Sequence, residues 1–186
     1  MTYEDFSNKF KKTNSHDKIW NYFISIAVIG IGLFFLYLLH FTQWYDPQKA
    51  TTKNATPIWG INVFCGLLIL LGLYGFWRIP KSYKMTAIQS ALSIDKKHQI
   101  INQLISDFKL NELERGEQYR HFKYEGRFWN TFDIYIFYDT ENFYLNAQQR
   151  DFGNDGGFID FGTSKRVTTK IKNKIMALAP NPYQQL

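Results

Sequence analysis

"IWNYFISIAVIGIGLFFLYLLHF", residues 19–41, carries no charged side chain apart from the ionisable His40 next to its end. A second stretch, "IWGINVFCGLLILLGLYGFW" at residues 58–77, is free of charge altogether. As helices rising 1.5 Å per residue they are about 35 and 30 Å long, against a hydrocarbon core of about 30 Å. Soluble core helices rarely run so far without a charge, so transmembrane helices are expected at 19–41 and 58–78. Trp20 and Tyr22, Trp44 and Tyr45, and Trp59 and Trp77 flank the two runs as an interfacial aromatic belt would. The first run is too long for a signal peptide and is followed by "HFTQWYD", without a small-x-small cleavage site.

Orientation is read from lysines and arginines alone. Lys9, Lys11, Lys12 and Lys18 precede the first run, and only Lys49 and Lys53 lie between the two. Arg78, Lys81, Lys84, Lys96 and Lys97 follow the second. The expectation is an integral, two-pass inner-membrane protein with both termini cytoplasmic: a tail at 1–18, an external loop at 42–57, and the remainder inside. The lone Cys65 falls within the second run, where a small apolar filler is its expected role. The sequon-like "NAT" at Asn54 is read as chance.

Beyond residue 84 the composition turns to mixed charged and aromatic residues, and 84–178 reads as one cytoplasmic α+β domain, with a tail at 179–186. Ile101, Leu104, Ile105 and Phe108 recur at helical spacing, which predicts a helix at 95–108, extended backward through "MTAIQSALS". "QYRHFKYEG" and "FDIYIFY" alternate as strands. The second is apolar on both faces and is therefore expected to be central and covered on both sides. "DTEN" supplies a turn and "FYLNAQQ" a hairpin partner, with a short strand possible at "GFIDF". In "TSKRVTTKIKNKIMAL", Thr163 or Ser164 is the expected cap, and Val167, Ile171, Ile175 and Leu178 make one apolar stripe. The expected domain is thus helix, three to four antiparallel strands, helix, with both helices on one face of the sheet.

The stretch "DFGNDGGFIDFGTSKR" at 151–166 carries three motif fragments. Asp151-Phe152-Gly153 lacks the rest of a kinase. A calcium loop starting at Asp151 would have Gly162 where a bidentate glutamate is needed. Gly157 and Gly162 have P-loop spacing, but Thr163 and Ser164 separate the second glycine from Lys165. What survives is a helix start followed by Lys165, Arg166, Lys170, Lys172 and Lys174 without an acidic residue. These five are the expected contacts for an anion or a membrane surface carrying anionic headgroups. Nucleic acid is disfavoured, because residues from 78 onward carry 16 basic against 12 acidic side chains.

Residues 119–161 hold fourteen Phe, Tyr and Trp. Among them Phe128 and Trp129 stand beside Arg127 in an expected turn, the residue types that anchor protein interfaces. Arg115 and His121, with five residues between them, resemble the Arg-x4-6-His signature of the helical HEPN ribonucleases. That resemblance covers two residues and would imply a membrane-tethered ribonuclease. His16, His40, His98, His121 and Cys65 show no ligand spacing, so no metal site or cofactor is expected. The resulting expectation is a non-enzymatic, membrane-anchored interaction or scaffold protein that binds a protein partner or itself. An oligomeric membrane effector that perturbs the bilayer on sensing a signal is the alternative.

Overall fold

The computed structural model describes residues 2–41, 58–126, 130–151, 154–155 and 162–179. Two compact units divide them: Met1–Lys18 with Lys81–Leu186, and Ile19–Pro80.

The first unit is an antiparallel sheet with helices on both faces. It begins with α1 (Tyr3–Thr13) and continues after the second unit through β1 (Thr86–Gln89), α4 (Ile94–Phe108), β2 (Asn111–Arg115) and β3 (Tyr119–Glu125). β4 (Thr131–Tyr138), β5 (Asn142–Asp151), the two-residue β6 (Asn154–Asp155) and α5 (Thr163–Leu178) complete it. Spatial order is β1-β5-β4-β3-β2, with β6 paired to β5. β4 lies in the middle because it is apolar on both sides, and its register shows how the two faces are used. Ile134 lies opposite Phe122 and Ala147, whereas Tyr135 lies opposite His121 and Asn146. Phe132, Ile134, Ile136 and Tyr138 pack with Ile101 and Leu104 of α4 and Ile171 and Ile175 of α5. Both of those helices therefore share one face, as expected. Tyr135 and Phe137 point the other way and meet Phe6 and Phe10 of α1.

Two sequence expectations are corrected here. "MTAIQSALS" does not extend α4. Thr86–Gln89 is an edge strand on β5, and α4 starts only at Ile94, after Ser93 in extended geometry. "NELER" is itself an edge strand on β3, so the sheet has five main strands rather than three or four. Both segments are short, β2 is polar and β1 brings only Ile88 to the core, and edge strands need no apolar alternation when one side of the ladder faces solvent. A register shift between Glu112 and Glu114 leaves Leu113 half exposed at the β2 edge. The expected strand at "GFIDF" lies outside the described residues.

The segment 1–18, expected as a tail, contributes α1 to this unit. Thr2 and Asp5 form a reciprocal capping box at its start, and Phe6 and Phe10, one turn apart, are buried. Asn14 closes it by donating its side-chain amide to the Phe10 carbonyl at 2.8 Å.

The second unit consists of α2 (Ser15–Phe41) without its first turn and α3 (Ile58–Ser82) without its last two residues. They pack antiparallel. Tyr22 meets Phe76, with ring centroids 5.1 Å apart, and Gly72 sits against Ser25 and Ile29. Gly32 sits against Cys65, Leu68 and Ile69, and His40 Nε2 lies 3.2 Å from Asn62 Oδ1. Both helices are long and apolar enough to cross a membrane.

Candidate functional site

The last helix is set by its first turn. Gly162, at φ 86°, is the N-cap, and neither Thr163 nor Ser164 caps the helix as the sequence suggested. Their hydroxyls turn to β5 instead. Thr163 Oγ1 donates to Gln149 Oε1, and Ser164 Oγ accepts from the Gln149 amide at 3.0 Å. With the start pinned, Ile171 and Ile175 point into the core and Val167 and Leu178 flank them. The opposite side is then fixed by helical geometry.

That rotation divides the five expected cations. Lys165, Arg166 and Lys170, with Thr169 and Asn173, line a shallow surface concavity running from Gly162. Among the described residues no carboxylate pairs with any of these three. Lys170 also lies over the Phe108 ring, 5.3 Å from its centroid. Lys174 is tied to Asp107 of α4 at 2.8 Å, and Lys172 is half-buried on the other flank. The surface available to a negatively charged partner is therefore a three-cation stripe. The expected interface residues Arg127, Phe128 and Trp129 lie outside the described residues, as does most of the stretch from 151 to 161.

Arg115 and His121 do not converge. They stand on the two strands of a hairpin, where Arg115 is in register with Arg120 and His121 with Glu114. Arg120 is opposite Ile136 on the α4 face, and His121 is opposite Tyr135 on the α1 face. The two side chains of the ribonuclease-like pair thus leave the sheet in opposite directions, on strands rather than on a helix. One phosphodiester could not meet both.

His121 belongs to a different constellation. Its ring stacks on Tyr135, with centroids 4.3 Å apart, and its Nε2 lies 3.0 Å from Asp133 Oδ1. The guanidinium of Arg150 takes the other carboxylate oxygen. Asp133 is only 1% exposed. Burial pushes its carboxyl upward, but the bonds from His121 and Arg150 outweigh that and hold it below the usual carboxylate range. This triad anchors β3, β4 and β5 on the α1 side.

Lys97 and Tyr138 are also committed to structure. Lys97 is fully buried, with Nζ donating to the Asp139 carbonyl at 2.7 Å and lying 5.2 Å from the Phe143 ring centroid. Burial lowers the affinity of this amine for its proton. Tyr138 donates its hydroxyl to the Glu117 carbonyl at 2.8 Å and meets His98 Nε2 at 2.8 Å, joining α4 to the β2–β3 turn.

Sequence reasoning missed the contact between α1 and the sheet. Phe6 lies 5.0 Å from Phe137 and 5.1 Å from Tyr119, and Phe10 lies 5.0 Å from Tyr135, all centroid to centroid. Tyr3 stacks on Tyr144 at 3.9 Å. Lys9 forms an ion pair with Glu114, whose carboxyl is held below its usual range, chiefly by that bond. The capping box at Thr2 and Asp5 and the one-turn spacing of Phe6 and Phe10 were the available signals. Among the described residues no three His, Cys, Asp or Glu side chains are grouped to hold a metal. No protein-family model, curated protein or solved structure matches the chain.

Proposed function

We propose that the chain is a two-pass, membrane-anchored interaction protein without catalytic activity. Its α+β domain stands at the cytoplasmic surface, and the α5 stripe of Lys165, Arg166 and Lys170 engages anionic headgroups. The observation that carries this reading is the surface of the two apolar helices. Only 11% and 17% of their most apolar windows are buried, and Ile19, Phe23, Ile26, Leu33, Phe34, Leu67 and Leu70 all stand more than half exposed. A core helix of a soluble domain would bury such residues, whereas lipid leaves them where they are.

The segments before α2 and after α3 fold into one unit, which supports an even number of crossings between them and both termini on one side. The excess of lysine and arginine on those segments supports the cytoplasmic side. Each cation of the stripe near an anionic surface adds about 1 kcal/mol.

The test is extraction of membranes with alkaline carbonate, combined with flotation of the purified chain on liposomes. The chain is expected to stay in the pellet. Replacing Lys165, Arg166 and Lys170 by glutamate is expected to leave insertion intact and to remove the dependence of domain protection from protease on anionic lipid. Recovery of the chain in the soluble fraction would overturn the anchor, and lipid-independent protection of the parent protein would overturn the stripe.

A further inference from the structure

The N-terminal helix holds a position that the functional reading above does not use. Its apolar side, Tyr3, Phe6 and Phe10, covers an aromatic patch of Tyr119, Tyr135, Phe137 and Tyr144. Its polar side carries Lys9, Lys11 and Lys12, of which only Lys9 has a carboxylate partner among the described residues. One residue, Asn14, separates α1 from α2. The apolar run of α2 starts at residue 19, so α1 ends within two turns of the hydrocarbon if α2 spans the bilayer. A short amphipathic helix with aromatic residues on one side and lysines on the other also has the composition of a helix that lies in the headgroup layer.

We infer that α1 is a releasable strap: its aromatic side is shared between the outer face of the sheet and the lipid headgroup layer, and anionic lipid favours release. The inference rests on α2 being a span. What holds the strap closed is local. Two phenylalanines and a tyrosine pack on the sheet, and the one ion pair seen among the described residues of α1, between Lys9 and Glu114, is about half exposed on both sides. Such a pair contributes little in water. Lipid offers the same rings an apolar environment, and an anionic surface offers Lys9 a replacement for Glu114. Release uncovers Tyr119, Tyr135 and Phe137, a continuous aromatic face on β3 and β4.

The Lys9 amine and the Glu114 carboxylate are in contact, so a carbodiimide condenses them to an amide with loss of water. Lys174 and Asp107, 2.8 Å apart within the same domain, provide an internal control. The full chain would be reconstituted in nanodiscs of zwitterionic lipid and, separately, of lipid containing phosphatidylserine, and both cross-links quantified by peptide mass spectrometry. The Lys9–Glu114 product is expected to fall in the anionic discs, by no more than the about fivefold shift in the open-to-closed ratio that one cation's attraction to the surface supplies. The Lys174–Asp107 product is expected to hold constant. Phe10→Ala is expected to lower the first product in both lipids and leave the second unchanged.

Equal Lys9–Glu114 yields in the two lipids, with the chain incorporated, would overturn the strap while leaving the anchor standing. Parallel loss of both products in the protein whose Lys165, Arg166 and Lys170 are replaced by glutamate would also overturn it, since release would then be unfolding of the domain. Failure of the chain to enter the discs would remove the span, and the strap with it.

Discussion

Adding a single methyl group at Gly72 and at Gly66 should move the stability of the apolar helix pair in opposite directions. A Cβ built at Gly72 lies 2.5 Å from Ile29 Cγ1, 2.9 Å from the Ser25 carbonyl oxygen and 3.2 Å from the Ile29 nitrogen. The isoleucine side chain can rotate away, but the two backbone atoms belong to α2 and move only if the helices separate. A separation of 0.5–1 Å forfeits about a quarter to a half of each van der Waals well along the seam. Overpacking of this kind costs about 1–3 kcal/mol. Against it stands the helix propensity of alanine over glycine, about 1 kcal/mol.

Gly72→Ala should therefore destabilise the pair by about 1 kcal/mol, the midpoint of the overpacking cost less the propensity gain. At Gly66 a Cβ meets nothing within 4 Å, so only the propensity gain remains, and Gly66→Ala should stabilise by about 1 kcal/mol. Denaturant unfolding of the full chain in a mild detergent, followed by circular dichroism, reads both changes. Shifts of the same sign would refute the reasoning, because they would show that the approach of α2 and α3 at Gly72 does not limit their packing.

Other consequences follow from the sheet domain. Phe6→Ala removes a ring that is 1% exposed and should cost about 3 kcal/mol of α1 docking. Amide exchange in residues 6–14 should then speed up about 10²-fold, while β4 amides stay within a few-fold of the parent. The carboxyl of Asp133 titrates below its ordinary value of 3.8 in the folded protein. The stability it contributes is fully present above that value and is lost as pH falls through the lower folded value. The melting temperature of the parent should fall steeply in that acid range, and Asp133→Asn should flatten that part of the profile while lowering stability at neutral pH. Lys109 ends α4 at φ 51°, a left-handed conformation in which a side chain costs about 1 kcal/mol, so Lys109→Gly should raise the unfolding free energy by that amount, read as a higher denaturant midpoint at unchanged slope.

The elements legible in the sequence were those whose signal is local and periodic. The two apolar runs announce helices by length alone. Ile101, Leu104 and Phe108 announce α4, and the two-sided apolar pattern of "FDIYIFY" announces a central strand covered on both faces. β1 and β2 gave no such signal. Thr86–Gln89 and Asn111–Arg115 are edge strands too short to show a period, and what makes them strands is a ladder to partners more than fifty residues away for β1 and across a tight turn for β2.

The candidate site divides in the same way. That α5 is basic was plain from its residues. Which of its cations are available was decided by the rotation of the helix, which the bonds from Thr163 and Ser164 to Gln149 and the burial of Ile171 and Ile175 impose. Arg115 and His121 were neighbours in spacing only. A strand alternates its side chains between faces, and the register of β2 with β3 sends the two to opposite sides of the sheet. By itself, then, the sequence determined the two apolar helices, the core-facing stripes and the excess of positive charge, because each depends on composition or on a period within one segment. Only the tertiary structure decided that Phe6 and Phe10 close the outer face of the sheet, because that contact joins residues more than one hundred positions apart, and no local pattern encodes its partner.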